Sequence, residues 1–382
     1  MPSEIRKRGP VDVSYEWYLL KTVGLAVLFG FFSGFVGGIV VNTRLGEDFL
    51  WGPNSKVREY FSTSEAEHTI LSRETLTQKA LATTVGIYRA SAIVGVTAPR
   101  TEDRLASAFF LTADGYLATT SPHIRSVSFK DLVVVTGNAR VYKIESLVAD
   151  TATDLTILKI KGLNFDVLPF VNNDRIDPGA FAWVVSPGEG LMPSEVVAAA
   201  VTLSTKDRQP FSSDIPYRFA VLKNSVGAES VGTPLLNGKG EIVGVIAGNK
   251  NNRSIVRVGF LKSAFDRVLK NHKITRPSLG IHFYEASQTL NAQENTSYGV
   301  RGVVLAGDSA RKLSGVDRKS PLAPLALKAG DRVLALNNES ISAVRSLPDI
   351  LFDYGPGDRV EITYVRGTEE GKTTITLGSL NN

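Results

Sequence analysis

Glu229-Ser230-Val231-Gly232-Thr233-Pro234-Leu235-Leu236-Asn237 is the most informative run of residues in this chain. Gly232 and Pro234 come just before the short apolar run Leu235-Leu236. A second apolar run, Ile242–Val245, follows the turn signal Gly238-Lys239-Gly240. Short apolar runs separated by turn-forming residues are typical of β-strands joined by tight connections. The stretch therefore predicts a tight turn within β-structure.

The same pattern extends on both sides of this stretch. Turn signals such as Ala113-Asp114-Gly115 separate the runs, and a helical pattern at Leu261–Asn271 closes the region. A second unit begins after Arg276-Pro277. Many short strands at regular spacing, without long helices between them, indicate an all-β sandwich or barrel. The predicted strands are Ala82–Tyr88, Ser107–Leu111, Asp131–Val135, Val141–Val148, Leu155–Ile160, Arg359–Val365 and Lys372–Leu377.

The composition bounds the class of protein. The chain has 382 residues, of which 43 % are hydrophobic, enough for two globular domains with full cores. Charged residues make up 21 %, which excludes a disordered polar chain and a protein that lies wholly in the membrane. The net charge of +5 is spread among both signs, so nucleic acid is not an expected partner. The chain contains no cysteine, which excludes disulfides and thiolate metal sites. We expect neither a metal nor a cofactor.

An apolar run near the N-terminus predicts a membrane anchor. The run from Thr22 to Thr43 contains no charged residue and, as a helix, is about 33 Å long, which is enough to cross a bilayer core. The alternative is a cleaved signal peptide, but a long segment precedes the run and no clear small-residue cleavage site follows it. We therefore predict a cytoplasmic tail over 1–21, a transmembrane helix over 22–43 and a polar linker over 44–73.

Four segments carry a resemblance to a known family. They are Asp114–Thr120, Asp150–Ile160, the stretch quoted above, and Ser320–Ala323 with Ala329–Asn337. Together, and in this order, they resemble the HtrA/Deg family of membrane-anchored, trypsin-like serine proteases that carry a PDZ domain. The resemblance implies a mainly β chain, with a trypsin-like double β-barrel over 74–275, a PDZ domain over 276–382 and one N-terminal transmembrane helix.

The resemblance also assigns the catalytic positions. In the family, the catalytic His stands seven positions after the Gly of an Asp-Gly-Tyr turn, and here that residue is Pro122, with His123 next to it. Asp154 stands where the family has the carboxylate that orients the His. The family's nucleophile loop runs Gly-x-Ser-Gly-Gly-Pro-Leu. When Pro234-Leu235 are matched to its Pro-Leu, Val231 falls at the nucleophile position.

Two functional interpretations follow from these positions. The first is a pseudoprotease, because proline has no side-chain base and valine has no group that attacks a carbonyl. The alternative is an active serine endopeptidase that uses a shifted triad of His123, Asp154 and Ser230. A shift of one residue in an extended segment turns the side chain to the opposite face. Glu229 and Thr233 also replace two of the loop's three glycines, so the pattern favours the pseudoprotease.

The PDZ segment predicts peptide binding. In the family, backbone N–H groups of a Tyr-Leu-Gly-Ile-like loop hold a peptide carboxylate, and the peptide adds a strand to an exposed sheet edge. The loop is similar here to Ser278-Leu279-Gly280-Ile281, so Leu279, Gly280 and Ile281 are the expected peptide-binding residues. We expect the groove to be flanked by a helix at Ser346–Tyr354. The alternative is a PDZ domain that only packs against the barrel.

The resemblance implies a role in protein quality control as a sensor, scaffold or regulator that binds extracytoplasmic peptides or protein C-termini. It further implies a homotrimer assembled through the barrels, anchored in the bacterial inner membrane with its soluble domains on the extracytoplasmic side. A third interpretation is a purely structural, membrane-tethered barrel whose PDZ groove is blocked.

Overall fold

The structure of the protein is a computed structural model that describes residues 72–381, except 96–98, 121, 174–175, 203–208, 249–252, 289, 292–295, 298–300 and 343. The predicted N-terminal tail, the predicted transmembrane helix at 22–43 and nearly all of the predicted linker lie outside the described residues. Among the helices within the described ranges, none has the length and apolar character needed to span a bilayer.

Six strands of the described residues form a first closed barrel, which helix α1 precedes. The elements are α1 (Arg73–Thr83), β1 (Thr84–Arg89), β2 (Arg104–Phe110), β3 (Tyr116–Thr119), β4 (Leu132–Val135), β5 (Val141–Ala149) and β6 (Thr156–Ile160). The strand order is β1-β2-β3-β6-β5-β4, and β4 closes the barrel by pairing with β1. Ser72 caps α1 by accepting a hydrogen bond from the Thr75 N–H.

The inward-facing side chains of these strands fill the first barrel. Phe110 and Leu117 are buried with their neighbours in one apolar cluster, and the Phe110 ring stacks on Phe165 with 4.2 Å between ring centroids. Gly115 forms the turn between β2 and β3 with a φ of +101°. A Cβ atom there would lie 2.6 Å from the Ile160 carbonyl oxygen, so this turn requires glycine.

The next part of the chain forms a second closed barrel, followed by a helix. The elements are β7 (Phe181–Ser186), β8 (Gly190–Thr202), β9 (Phe211–Ser212), β10 (Arg218–Leu222), β11 (Pro234–Leu236), β12 (Ile242–Ile246), β13 (Ser254–Arg257) and α2 (Val258–Asn271). The barrel order is β10-β13-β12-β11-β7-β8, so β9 is not one of its strands. Helix α2 buries a stripe at helical spacing that includes Leu261, Phe265 and Val268.

The remaining described residues form the PDZ domain, with one main sheet and two separate two-stranded sheets. Its elements are β14 (Thr275–Ser278), β15 (His282–Glu285), β16 (Leu290–Asn291), β17 (Thr296–Ser297), β18 (Val303–Leu305), β19 (Arg332–Leu336), β20 (Glu339–Ser340), α3 (Leu347–Leu351), β21 (Arg359–Arg366), β22 (Glu369–Thr376) and β23 (Gly378–Asn381). The main sheet has the order β22-β21-β19-β18-β15-β9, with β20 paired to β19. Strand β9, which precedes β10 of the second barrel in the chain, is therefore the edge strand of the PDZ sheet. The predicted mainly β fold, with two barrels and a PDZ domain, is confirmed.

The barrels and the PDZ domain share a continuous core. One cluster of buried apolar residues includes Val245 of β12, Phe265 of α2 and Phe283 of β15. The rings of Phe260 and Phe352 meet edge to face with centroids 5.3 Å apart. Burial of apolar surface between the domains contributes to stability in proportion to its area. The PDZ domain is thus packed against the barrels rather than separated from them by a free linker.

A buried ion pair lies where the sequence places the domain boundary. The side chains of Arg276 and Asp150 are both 0 % exposed, and the guanidinium donates to the carboxylate from Nη2 and, at 3.0 Å, from Nε. The Arg276 guanidinium also lies 4.7 Å from the centroid of the Phe352 ring. Burial acts to raise the pKa of Asp150, but the charge and hydrogen bonds of Arg276 outweigh it, with help from Thr153, so the pKa is lowered below its ordinary value.

The start of the first strand differs from its prediction. Ala82 and Thr83 belong to α1, and β1 begins at Thr84. The hydroxyls of Thr83 and Thr84 both donate to the Ala80 carbonyl, at 2.9 and 2.8 Å. These β-branched residues therefore satisfy the end of the helix instead of extending the strand.

The helix beside the PDZ groove is shorter than the predicted Ser346–Tyr354. It spans Leu347–Leu351, because Ser346 is its N-cap and forms a capping box with Asp349. Tight turns follow it, with the Tyr354 N–H donating to the Leu351 carbonyl at 3.1 Å.

Candidate functional site

Residues 228–233 form a tight turn, which we call the 228–233 loop. Ala228–Ser230 adopts a 3-10 conformation, so the Val231 N–H donates to the Ala228 carbonyl at 3.2 Å. The Gly232 N–H donates to the Ile246 carbonyl at 2.9 Å. In trypsin-like peptidases, the N–H of the nucleophilic residue helps to bind the oxyanion. In this chain, the N–H of Val231 is directed to a carbonyl of its own turn.

The Ser230 side chain is buried within this loop. Its Oγ atom has no hydrogen-bond partner among the described residues, and Ser230 is 0 % exposed. A nucleophile must reach both a substrate carbonyl and a general base. In this arrangement the Ser230 hydroxyl is not accessible to a substrate.

The 228–233 loop lies between two strands of the second barrel and is hydrogen-bonded to the first barrel. The Ser107 N–H of β2 donates to the Val231 carbonyl at 3.3 Å, and the Ser107 hydroxyl donates to the Glu229 carbonyl at 2.5 Å. Gly232 has a φ of +86°, and a Cβ atom there would lie 2.1 Å from the Ser107 carbonyl oxygen and 2.4 Å from Thr119 Oγ1. The remaining glycine of the loop is therefore required by close packing against the first barrel.

Asp154 is the carboxylate that the resemblance assigns to the triad. It has a φ of +61°, its side chain is 55 % exposed, and it forms an ion pair with Arg125. Pro122 and His123 begin the 3-10 segment Pro122–Ser126, and their side chains lie outside the described residues. The structure thus brings Asp154 to a cation that sequence reasoning did not identify.

The residues Ser278–Ile281, which we call the PDZ loop, hold a carboxylate. The N–H groups of Leu279 and Gly280 donate to Asp214 Oδ1 at 2.9 and 3.2 Å. The Ser278 hydroxyl donates to Asp214 Oδ2 at 2.5 Å. Gly280 adopts a φ of +63°, a conformation that favours glycine. Two of the three expected peptide-binding residues therefore contact an anion, and the anion belongs to the chain itself.

Strand β9, which precedes Asp214, extends the PDZ sheet. It pairs antiparallel with β15, with Ser212 opposite His282 and Phe211 opposite Phe283. The third expected residue, Ile281, accepts a hydrogen bond from the Ser213 N–H at 2.9 Å. Its own N–H donates to Ser213 Oγ at 3.2 Å. The edge of the PDZ sheet next to the PDZ loop is therefore covered by residues 211–214.

Charged and aromatic groups surround this contact. Glu285 accepts a hydrogen bond from the Tyr217 hydroxyl at 2.7 Å and forms a buried ion pair with Arg218. Burial and the Glu285 carboxylate raise the pKa of Tyr217 above its ordinary value. On the helical side of the groove, the buried Asp349 of α3 forms an ion pair with Arg257 of the second barrel. These pairs fix the PDZ groove against the second barrel.

Comparisons with known families match this architecture. The trypsin-like peptidase domain family matches residues 106–245, and the PDZ domain family matches residues 277–377. The solved structure of the HtrA-type protease AlgW with a decapeptide aligns with a TM-score of 0.59 at 18 % identity, covering 82 % of this chain and 100 % of that one. The fold and these matches define the class of protein as a trypsin-like peptidase fold joined to a PDZ domain.

Two bacterial proteins with similar sequences indicate which kind of trypsin-like protein this chain resembles. A protein of Halomonas elongata named "Probable periplasmic serine endoprotease DegP-like" is 24 % identical over 289 residues, which cover 72 % of this chain and 56 % of that protein. A protein of the same name from Marinomonas sp. is 26 % identical over 291 residues, which cover 73 % and 58 %. The two domain matches, in this order along the chain, and these relatives support assignment to the HtrA/Deg family. The chain spans a little over half the length of these DegP-like relatives.

Asp214 is the residue of this candidate site that the sequence did not predict. It lies 65 residues before Leu279 in the chain, and no motif surrounds it. The only signal in the sequence is a Phe-Ser-Ser-Asp run, which offers an aromatic side chain and a carboxylate three residues apart. Such a run is too common on protein surfaces to predict a contact by itself.

Proposed function

We propose that the protein is a membrane-anchored HtrA-like pseudoprotease that binds extracytoplasmic peptides or protein C-termini through its PDZ domain. In this role it acts as a sensor, scaffold or regulator in protein quality control. The observation that carries the proposal is Val231, at the position that the resemblance assigns to the nucleophile. A valine side chain has neither an ionisable proton nor a lone pair for attack on a carbonyl.

The surroundings of Val231 and Asp154 support the proposed loss of catalysis. The Val231 N–H is bonded within its own turn, and the neighbouring Ser230 hydroxyl is buried. Arg125 forms an ion pair with the Asp154 carboxylate. Its guanidinium therefore competes with an imidazole for the same oxygen atoms. Proline at position 122 supplies no base.

The proposal includes the cellular setting. The DegP-like relatives are named periplasmic, which supports an extracytoplasmic location for the barrels and the PDZ domain. We place the anchor at residues 22–43, with residues 1–21 in the cytoplasm of a bacterial cell. Assembly as a homotrimer through the barrels completes the proposal, by analogy with the family.

A fluorophosphonate probe tests the proposed loss of catalysis. We expect no labelling of the full chain, of Ser230→Ala or of Val231→Ser, because a serine at position 231 still lacks a base at position 122. Casein should also remain intact in the presence of each variant. An active DegP-like relative in the same assay provides the positive control. Labelling of the wild-type chain that disappears in Ser230→Ala would contradict the proposal.

The names of the relatives favour a second candidate function. Both DegP-like relatives are named serine endoproteases, so an active endopeptidase with His123, Asp154 and Ser230 is the alternative. It requires the turn to rearrange until Ser230 Oγ lies about 3 Å from His123 Nε2. In that case His123→Ala and Ser230→Ala would each abolish casein hydrolysis, whereas Arg125→Ala would leave it intact or raise it by freeing Asp154.

A further inference from the structure

Residues 211–214, hereafter the latch segment, lie in the PDZ groove although they belong to the chain between β8 and β10. Strand β9 adds to the edge of the PDZ sheet, and the Asp214 carboxylate lies on the N–H groups of Leu279 and Gly280. We propose that the latch segment is an internal ligand of the PDZ groove, and that an external peptide with a terminal carboxylate binds by displacing it. The inference rests on the proposed peptide-binding function and adds the regulation of that same groove.

The latch segment reproduces the contacts by which an extended peptide binds a PDZ domain. Such a peptide adds a strand to the sheet edge, places a carboxylate on the backbone N–H groups of the loop and presents alternate side chains to the groove. Ser213 supplies the strand hydrogen bond to the Ile281 carbonyl. Phe211 supplies the aromatic contact, with its ring centroid 4.2 Å from that of Tyr217 and 6.2 Å from that of Phe283.

The PDZ loop selects a carboxylate. Donors from Leu279 and Gly280 converge on Oδ1 of Asp214, and the Ser278 hydroxyl donates to Oδ2. Hydrogen bonds to an ionised acceptor are about twice as strong as those between neutral groups. The β-carboxylate of Asp214 therefore stands in for the α-carboxylate of a peptide C-terminus. Ser278, which replaces the aromatic residue expected in this loop, gains a role as a third donor.

Tethering gives the latch segment an advantage over a soluble peptide. A ligand joined to its site by the same chain acts at an effective concentration of roughly millimolar order. The apparent affinity of a competing peptide is reduced by the fraction of molecules whose groove is open. A groove closed in nine-tenths of the molecules therefore weakens peptide binding about tenfold.

Fluorescence anisotropy of a labelled peptide tests the latch. The probe is a fluorescein-labelled hexapeptide with the sequence of Gln209–Asp214 and a free C-terminus, titrated into the full chain in detergent micelles. We expect Asp214→Ala and Ser213→Pro each to raise the affinity at least tenfold, because one removes the carboxylate and the other removes the strand N–H. The matched control is Asp166→Ala, an exposed aspartate of the barrel region, which should leave the affinity unchanged.

Two modified probes identify the carboxylate that the groove accepts. A hexapeptide that ends in asparagine keeps only the α-carboxylate, and an amidated hexapeptide keeps only the β-carboxylate. With Asp214→Ala we expect the first to bind at least as well as the parent peptide, which supports terminal carboxylates as the ligand class. Stronger binding of the amidated form would overturn that class in favour of internal aspartates.

A cysteine pair tests the closed state directly, and the natural chain contains no other cysteine. Ser213 donates to the Ile281 carbonyl, so the adjacent pair Ser212 and His282 is non-hydrogen-bonded, with Cα atoms about 4.5 Å apart. That distance suits a disulfide. We expect Ser212→Cys/His282→Cys to cross-link within one chain on mild oxidation with diamide and to lose binding of the hexapeptide. Reduction with dithiothreitol should restore the binding, and each single cysteine variant serves as the control.

The two experiments separate failure of the latch from failure of peptide binding. Suppose that the wild-type chain binds the hexapeptide with the same affinity as Asp214→Ala and Ser213→Pro, and that no cross-link forms. This result would overturn the latch and leave peptide binding intact. An efficient cross-link without binding of any peptide to any variant would support the latch and contradict the proposed peptide-binding function. Binding to the cross-linked chain that equals binding to the reduced chain would also overturn the latch.

Discussion

The 228–233 loop and the PDZ loop are both turns with backbone N–H groups that could bind an anion, yet only the PDZ loop holds one. In the 228–233 loop, the 3-10 conformation directs the Val231 N–H to the Ala228 carbonyl. In the PDZ loop, the N–H groups of Leu279 and Gly280 both donate to Asp214. Anion binding by a turn therefore depends on where its backbone directs the N–H donors.

The same comparison explains why the two loops tolerate substitution differently. Nucleophilic catalysis requires one particular side chain at one position, and a valine side chain supplies no nucleophile. Carboxylate binding by the PDZ loop uses main-chain donors that any residue except proline supplies. Ser278 therefore departs from the family pattern without loss of the carboxylate site. A site built from main-chain donors is therefore less sensitive to substitution than a site that depends on one side chain.

The strongest destabilisation is expected from breaking the contact that holds the PDZ domain, and with it the PDZ loop, against the barrels. Asp150→Ala would leave the fully buried Arg276 guanidinium without its carboxylate, which should lower the free energy of unfolding by about 3–5 kcal/mol. The matched control is Asp154→Ala, whose exposed pair with Arg125 should contribute at most about 1 kcal/mol. Urea unfolding measures both. Equal effects would show that the two carboxylates of this segment do not differ in role.

The dependence of the unfolding free energy on acidic pH tests the same ion pair of Asp150 and Arg276. The pKa of Asp150 is lowered from its ordinary value of 3.8 in the folded protein, so the unfolded chain binds the proton more readily. The stabilisation is complete above the ordinary value and is lost as the pH falls below it toward the folded pKa. Unfolding free energies measured from pH 5 downward should therefore fall more steeply for the wild-type chain than for Asp150→Asn. Parallel curves would remove Asp150 as the cause.

A smaller effect tests why one glycine remains in the 228–233 loop. Gly232→Ala places a Cβ atom against Ser107 and Thr119 at a positive φ, which should lower the free energy of unfolding by about 2–4 kcal/mol. Gly238→Ala is the control, because its Cβ would meet nothing within 4 Å, and it should change stability by less than about 1 kcal/mol. Thermal unfolding distinguishes the two. A neutral Gly232→Ala would mean that packing does not retain the glycine.

The most modest change in stability is expected at the buried hydroxyl of Ser230. Ser230→Ala removes a buried hydroxyl without a partner among the described residues, so the free energy of unfolding should stay the same or rise by about 1 kcal/mol. Thr233→Ala provides the contrast, because the Thr233 hydroxyl donates to the Val185 carbonyl at 2.9 Å. Its loss should destabilise the protein by about 1 kcal/mol. A destabilised Ser230→Ala would indicate that the hydroxyl has a partner in solution.

Much of the fold could be predicted from the sequence because it is determined locally. The predicted strand Leu155–Ile160 and helix Leu261–Asn271 agree with β6 and α2 within a few residues, since alternation and helical spacing reflect which side chains are buried. The errors lie at element ends. At Thr83 a β-branched residue ends a helix, and Ser346, in the predicted helix Ser346–Tyr354, is the N-cap that precedes α3.

The candidate site could be predicted only in part, because its decisive contacts are distant in the chain. The loop pattern predicts Leu279–Ile281 as binding residues, but a two-residue strand such as β9 has no periodicity to detect. Asp214 resembles any surface aspartate until the fold brings it to Gly280, 66 residues later. The pairing of Arg125 with Asp154 likewise depends on two segments 29 residues apart.

The buried position of Arg276 has a consequence for the ancestry of such chains. Modular proteins exchange domains at exposed joints, where a new neighbour needs no matching residue. Here the first residue of the predicted PDZ domain lies in the interior, bonded to an aspartate of the first barrel. A foreign PDZ domain joined at this point would have to supply the same cation, or Asp150 would have to change with it. The two halves are therefore expected to be inherited together rather than shuffled.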